Sequence, residues 1–273
     1  MAQEIQAIDV LIIPGTRRVE RPEAQESLAR LFPGLKEREA AEVTPDALVA
    51  AMDEAGVEKG ILSIQTPDDK TWVMDIVKRY PYRFIPTMVV NPVAWGIMDE
   101  VRRIRRYVAE CNIQMFRLGA WRTSLPINDR YFFPFYALAA ELDLKVMVNI
   151  GLPGPIAPGW IQDPLLVDEI CFLFPELKII QKSTGMPWVE TACNNVIKWP
   201  NCYLATPSYR PKYFSPVLIQ HLNTRAQDKI MWGTEYPLIP FKTALEDIRE
   251  LPLRDPVRPK FLRENALKLF KWP

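Results

Sequence analysis

Short apolar runs rich in β-branched residues alternate along this chain with stretches whose apolar positions recur at helical spacing. The strand-like runs fall at 5–13, 59–64, 83–90, 112–118, 145–150, 177–183, 202–206 and 229–234. Between them lie amphipathic stretches at 46–55, 70–79, 99–111, 133–142, 165–174, 188–199 and 213–222. Strict alternation of strand and helix predicts a parallel sheet, because parallel neighbours need a crossover between them. Eight such units predict an α/β fold of one kind, a closed, eight-stranded parallel (β/α)8 barrel. An open doubly wound sheet is the structural alternative, but no Gly-rich dinucleotide-binding turn follows any early strand.

Local signals agree with this pattern. Thr44 is placed to cap the first long helix, with Pro45 at its first position, Asp46 in its first turn and Gly56 as its stop. A further helix is predicted at 261–270. No repeat, low-complexity tract or linker marks a second domain, so residues 1–273 read as a single barrel domain. The longest irregular piece, 14–43, follows the first strand. In a barrel that places it over the C-terminal mouth, as a lid or binding loop.

Composition narrows the function classes. A net charge of +1 gives no reason to expect nucleic acid as a partner. No apolar run is long enough to span a membrane, and the N-terminus has no basic-then-apolar leader, so a cytoplasmic protein is expected. The four cysteines, Cys111, Cys171, Cys193 and Cys202, form no CxxC pair and read as buried free thiols. Many of the 26 prolines follow predicted strands, as at Pro67, Pro92, Pro153 and Pro237, and mark rigid loops.

Two C-terminal features carry a resemblance. Ile230-Met231-Trp232-Gly233-Thr234-Glu235-Tyr236-Pro237 is a short apolar strand ending in Gly-Thr-acid-Tyr-Pro, and the final helix carries Asn265-Ala266. Together they resemble the signature of the amidohydrolase-2 family, metal-dependent (β/α)8 hydrolases and decarboxylases related to aminocarboxymuconate semialdehyde decarboxylase. The resemblance spans nearly the whole chain and implies the same barrel. In that family the last strand supplies an Asp to a metal held mainly by histidines. This chain has one histidine, His221, on a predicted outer helix.

Transferred position by position, the family's Asp-x-His-x-His becomes Asp9-Val10-Leu11-Ile12-Ile13, with Leu11 and Ile13 where both histidines belong. The fifth strand has Asn149 at its His, the sixth Ser183, and the eighth Glu235 in place of Asp. Leu and Ile donate nothing, and Asn and an unionised Ser are weak ligands, whereas such a site needs at least three good donors. The expectation is therefore no metal and no cofactor.

Side chains alternate along a strand, so one inward residue fixes the rest. With Leu11 and Ile13 inward, Asp9 follows. With Ser183 inward, Gln181 follows, and Lys182 faces the helices or the rim. Asp9, Arg117, Asn149, Gln181, Ser183 and Glu235 then form one constellation, ringed by loop residues Arg17, Arg18, Trp121, Arg122, Trp160, Tyr209, Arg210 and Tyr236. Arg117 can hold a carboxylate bidentately, Asn149 can donate to an oxyanion, and Glu235 is the expected acid–base group. Asp9 and Ser183 complete the catalytic candidates, while Gln181, Arg117 and the loop residues are expected to bind substrate. The loop aromatic and Arg residues could instead join copies in a homo-oligomer.

Three functional readings follow. The first is metal-independent hydrolysis of a small carboxylated or cyclic, lactone-like or amide-like molecule. Pyrone-dicarboxylate lactonases, relatives in the same superfamily, open a ring without a bound metal. The second is metal-free decarboxylation or another lyase reaction. The third is a non-catalytic barrel that binds a ligand or partner, with an apolar, plugged mouth as its mark.

Overall fold

The computed structural model describes residues 6–13, 22–40 and 43–273. Eight parallel strands form one sheet in sequential order: β1 (Ala7–Ile12), β2 (Val57–Ile64), β3 (Phe84–Val90), β4 (Met115–Leu118), β5 (Lys145–Asn149), β6 (Lys178–Lys182), β7 (Cys202–Ala205) and β8 (Ile230–Met231). Every predicted strand is present. The segment after β8 closes the sheet onto β1: Val10 N donates to Trp232 O at 3.2 Å, Glu235 N to Leu11 O at 2.9 Å and Ile13 N to Tyr236 O at 2.8 Å. The fold is a single (β/α)8 barrel.

Helices cover the outside. Thr44 caps the helix Pro45–Ala55, its side chain accepting from Ala47 N at 3.2 Å, and Gly56 ends it in the left-handed region at φ 80°. The packing between sheet and helices is apolar, through residues such as Ile12, Leu62, Phe116, Val148 and Ile179. A second apolar cluster fills the barrel itself, including Leu11, Ile61, Ile85, Met115, Met147 and Ile180. The final helix, Asn265–Leu269, plugs the N-terminal end of the barrel with Ala266 and Phe270. Asn265 donates to Gln227 O and Ile230 O, both at 2.8 Å, which fixes that plug at the start of β8. Among the described residues, the N-terminal end is filled and the cavity lies at the C-terminal mouth.

The stretch 14–43 is not irregular throughout: it contains the helices Pro22–Leu31 and Leu35–Ala40. Leu28 and Leu35 pack on Leu238, and Ser27 Oγ donates to Gly154 O at 2.6 Å. Arg38 donates to Pro237 O at 3.1 Å and Leu238 O at 3.3 Å. These contacts lay the helix pair across the loops that follow β5 and β8. No helix among the described residues is long and apolar enough to cross a membrane. All four cysteines are buried free thiols.

The loops after β5 and β6 touch backbone to backbone. Leu152 N donates to Met186 O at 2.8 Å, and Gly151 stands at φ 82° with the position of an added Cβ only 2.8 Å from Met186 O. Gly151→Ala therefore meets both a left-handed backbone and a clash, and is expected to cost about 1–3 kcal/mol of stability. Urea unfolding checks this, an unchanged midpoint being the opposing result.

Candidate active site

The interior apolar residues fix which side chains reach the mouth. Two residues beyond Ile61, Met115, Met147 and Ile180 on their strands stand Ser63, Arg117, Asn149 and Lys182, on the same inward face. The step from apolar to polar marks the floor of a cavity of about 850 Å³ at the C-terminal ends of the strands. Arg117, Asn149, Lys182, Ser183, Ser208 and Glu235 all line it.

Glu235 is the centre of this floor. It follows β8 at φ 60° and is 5% exposed. Its Oε2 lies 2.7 Å from Lys182 Nζ and accepts a hydrogen bond from Ser208 Oγ. Its Oε1 lies 3.9 Å from Arg117 Nη2. Arg117 is oriented from below, its Nη1 donating to Ser63 Oγ at 2.8 Å, while Gln65 Nε2 donates to the same hydroxyl at 2.7 Å. Arg122 lies over the Trp121 ring, 4.4 Å from its centroid, and donates to Gln65 Oε1 at 3.3 Å. Among the described residues, two guanidinium groups and an ammonium thus share one small polar network with one carboxylate.

The structure brings most of the expected residues together. Arg117, Asn149, Ser183, Glu235, Trp121, Arg122, Tyr209 and Arg210 all line the cavity. The Arg210 guanidinium is held bidentately by Asp247 at 2.7 and 2.9 Å, so it braces the rim. Arg17 and Arg18 lie outside the described residues. Trp160 is exposed and does not line the cavity.

Four further expectations are corrected. Asp9 is fully buried off the cavity, accepting from Leu11 N at 2.9 Å and from the backbone and hydroxyl of Thr234. A register shift between Asp9 and Ile12 inserts a residue into β1, so alternation does not carry from Leu11 back to Asp9. Burial pushes the Asp9 carboxyl up to about 7; its hydrogen bonds oppose this and the charge of Glu235 adds to it. Asp9 ties β1 to the segment after β8. Gln181 faces the helical layer, where it donates to Ala192 O at 2.9 Å and accepts from Asn195 Nδ2 at 3.2 Å. Lys182, placed by that same count among the helices or at the rim, enters the cavity instead. Ser183 stands at φ 85° beyond the strand end, which breaks alternation and lets Lys182 and Ser183 both line the cavity. Tyr236 stacks on Phe241, with centroids 4.3 Å apart and planes 7° apart, and is not part of the cavity wall. His221 lies on the outer helix Pro216–Leu222, away from the cavity.

With this geometry in hand, comparison with known proteins is decisive for the family. Residues 18–272 match the amidohydrolase-2 family of amidohydrolases. The chain belongs to that family. No curated protein matches the sequence. Among solved structures, an uncharacterised TIM-barrel protein from Bordetella bronchiseptica is similar with a TM-score of 0.79 and 23% identity, over 96% of this chain and 97% of that one. A 5-carboxyvanillate decarboxylase from Sphingomonas paucimobilis is similar with a TM-score of 0.72 and 17% identity, over 98% and 100% of the two chains. A dihydroxybenzoic acid decarboxylase from Polaromonas sp. JS666, with bound manganese and the inhibitor 2-nitroresorcinol, is similar at 0.71 and 18%, over 96% of each chain. At these identities the likeness is one of fold.

The family's metal can be tested against the donors present. Among the described residues, no three His, Cys, Asp or Glu side chains come together as a set that could hold an ion. Glu235 is already in contact with an ammonium, and Leu11 and Ile13 offer no lone pair. These residues do not fit a divalent metal.

Proposed function

We propose that this protein is a metal-independent decarboxylase of a small carboxylic acid that carries an oxygen function near its carboxyl group. The observation that carries this reading is the Lys182–Glu235–Arg117 cluster beneath walls that include Leu28, Phe32, Leu118, Met186 and Ile239. Loss of CO2 requires positive charge to hold the substrate's oxygens and a proton for the carbon that loses the carboxyl group. Arg117 supplies a fixed fork for the oxygens, set by Ser63. Glu235 stands at the mouth with two proton-bearing neighbours, Lys182 Nζ and Ser208 Oγ, and is placed to deliver the proton. The apolar walls receive the substrate's body and exclude water. Two solved relatives in fold are decarboxylases of 5-carboxyvanillate and dihydroxybenzoic acid, which supports this chemistry over others within the family.

Hydrolysis of a lactone-like bond is the second reading. The presence of Asn149 and Ser183 on the cavity wall favours it, since Asn149 could donate to an oxyanion while Glu235 accepts a proton from water. A mouth with a charged floor and an open cavity speaks against a barrel that only binds.

The test is release of CO2 from a panel of hydroxybenzoic acids and oxo acids, run beside ring opening of carboxylated lactones. Release of CO2 from at least one acid is expected. A lost charged hydrogen bond costs about 1.5–3 kcal/mol, so Arg117→Ala should raise the dissociation constant of that acid by about ten- to a hundredfold. Ring opening of lactones without CO2 from any acid would replace this reading with hydrolysis.

A further inference from the structure

Lys182 has a feature that neither charge neutralisation nor proton delivery requires. It is a primary amine, 4% exposed, at the end of a barrel strand, and it lines the cavity beside Glu235. A carboxylate that could take its proton is 2.7 Å away, and Ser208 bonds the same oxygen. Arg117 brings a second cation to the other oxygen of that carboxylate. A buried lysine beside another cationic group is the setting in which an amine serves as a covalent nucleophile toward carbonyl carbon.

We infer that Lys182 forms a Schiff base with the substrate, and that the substrate class is a small 3-oxo acid. This rests on the decarboxylase reading and deepens it. Among the described residues lining the cavity, Lys182 is the one amine, and an imine gives the departing carboxyl's electrons a place to go without a metal.

The steps balance. Lys182 passes a proton to Glu235, and the neutral nitrogen attacks the ketone carbon. The carbonyl π pair moves to oxygen, which takes the proton back from Glu235, and the attacking nitrogen then gives one of its own protons to the Glu235 carboxylate, leaving a neutral carbinolamine. The hydroxyl leaves as water after a second protonation through Glu235, and the nitrogen lone pair forms the protonated imine. The bond to the carboxyl carbon then breaks, CO2 leaves, and its electron pair neutralises the imine nitrogen to give an enamine. Glu235 protonates the enamine carbon, with a proton drawn ultimately from solvent and Ser208 placed to pass it. Water then hydrolyses the imine to the ketone and frees Lys182. Arg117 holds the carboxylate until the bond breaks, and the apolar walls favour a step in which localised charge disperses.

The experiment is trapping of the native full-length protein with sodium borohydride in the presence of acetoacetate or 2-oxocyclohexanecarboxylate. Intact mass and peptide mapping read the product. The expected result is a single reduced adduct per chain on Lys182, dependent on the oxo acid and absent from Lys182→Met. Should that variant not fold, the peptide map of the native protein decides alone. Adducts scattered over exposed lysines with Lys182 unmodified would overturn the inference. CO2 release from an acid with no adduct at Lys182 would also overturn it while leaving decarboxylation standing. An adduct on Lys182 with no CO2 from any acid would support the Schiff base and remove the decarboxylase reading.

Discussion

Replacing Glu235 by Gln should lower turnover by about 10²–10⁴-fold, the usual contribution of a general acid–base group. The amide keeps the shape and can still accept from Ser208, but it cannot carry a proton between Lys182 and a substrate. The effect should fall on kcat more than on KM, because the Ser63 hydrogen bond that orients Arg117 remains although its 3.9 Å charge contact with Glu235 is lost. Breaking a buried ion pair also costs stability, about 3–5 kcal/mol where the remaining charge finds no partner. Turnover is therefore to be normalised to folded protein by circular dichroism. Near-normal turnover in folded Glu235→Gln would remove Glu235 from the chemistry. The role could not pass to Asp9, which is fully buried off the cavity.

Stability should fall with rising pH through a window set by Asp9. Burial is the main cause that lifts its folded pKa from 3.8 to about 7, so the folded state holds a proton that the unfolded state releases. The contribution is fully present below about 4 and is lost as pH rises to about 7. A gap of about three units corresponds to something on the order of 4 kcal/mol at most. Asp9→Asn keeps the size and an acceptor for Leu11 N and Thr234 N, and it cannot ionise. The stability difference between the two proteins, read from urea midpoints between about pH 4 and pH 8, should therefore shift in favour of the Asn variant as pH rises. Parallel profiles would show that the carboxyl does not titrate in this window. Asp9→Ala would instead leave two buried backbone N–H groups without the carboxylate, at about 1–3 kcal/mol each.

The barrel was legible because each strand is a β-branched run between helical stretches, and the structure adds only end adjustments of a few residues. Arg117, Asn149 and Glu235 were legible because they sit at strand ends, where a barrel collects polar groups. Lys182 was hidden by anchoring the count on Ser183, whose backbone at φ 85° has already left the strand. Counting in twos from the apolar Ile180 reaches Lys182, and the polar pair Gln181–Lys182 implies that one of the two must point inward. Asp9 was misplaced by the extra residue between it and Ile12, which no Gly or Pro announces. Ser208 carried no signal, since its bond to Glu235 joins residues 27 apart through two separate turns. The helices at 22–40 were missed because they are held down by tertiary contacts: Leu28 and Leu35 on Leu238, and Arg38 on the backbone after Pro237.

The central claim is that Lys182 and Arg117 stand beside Glu235 where the family's metal chemistry would need ligands. It is tested most directly by elemental analysis and anomalous X-ray scattering on protein purified in the presence of manganese and zinc, with CO2 release followed before and after chelation. The expected result is no stoichiometric transition metal, no anomalous peak within bonding distance of Glu235, and unchanged CO2 release after chelation. About one ion per chain bound to Glu235, lost to the chelator together with activity and restored with it, would contradict the claim.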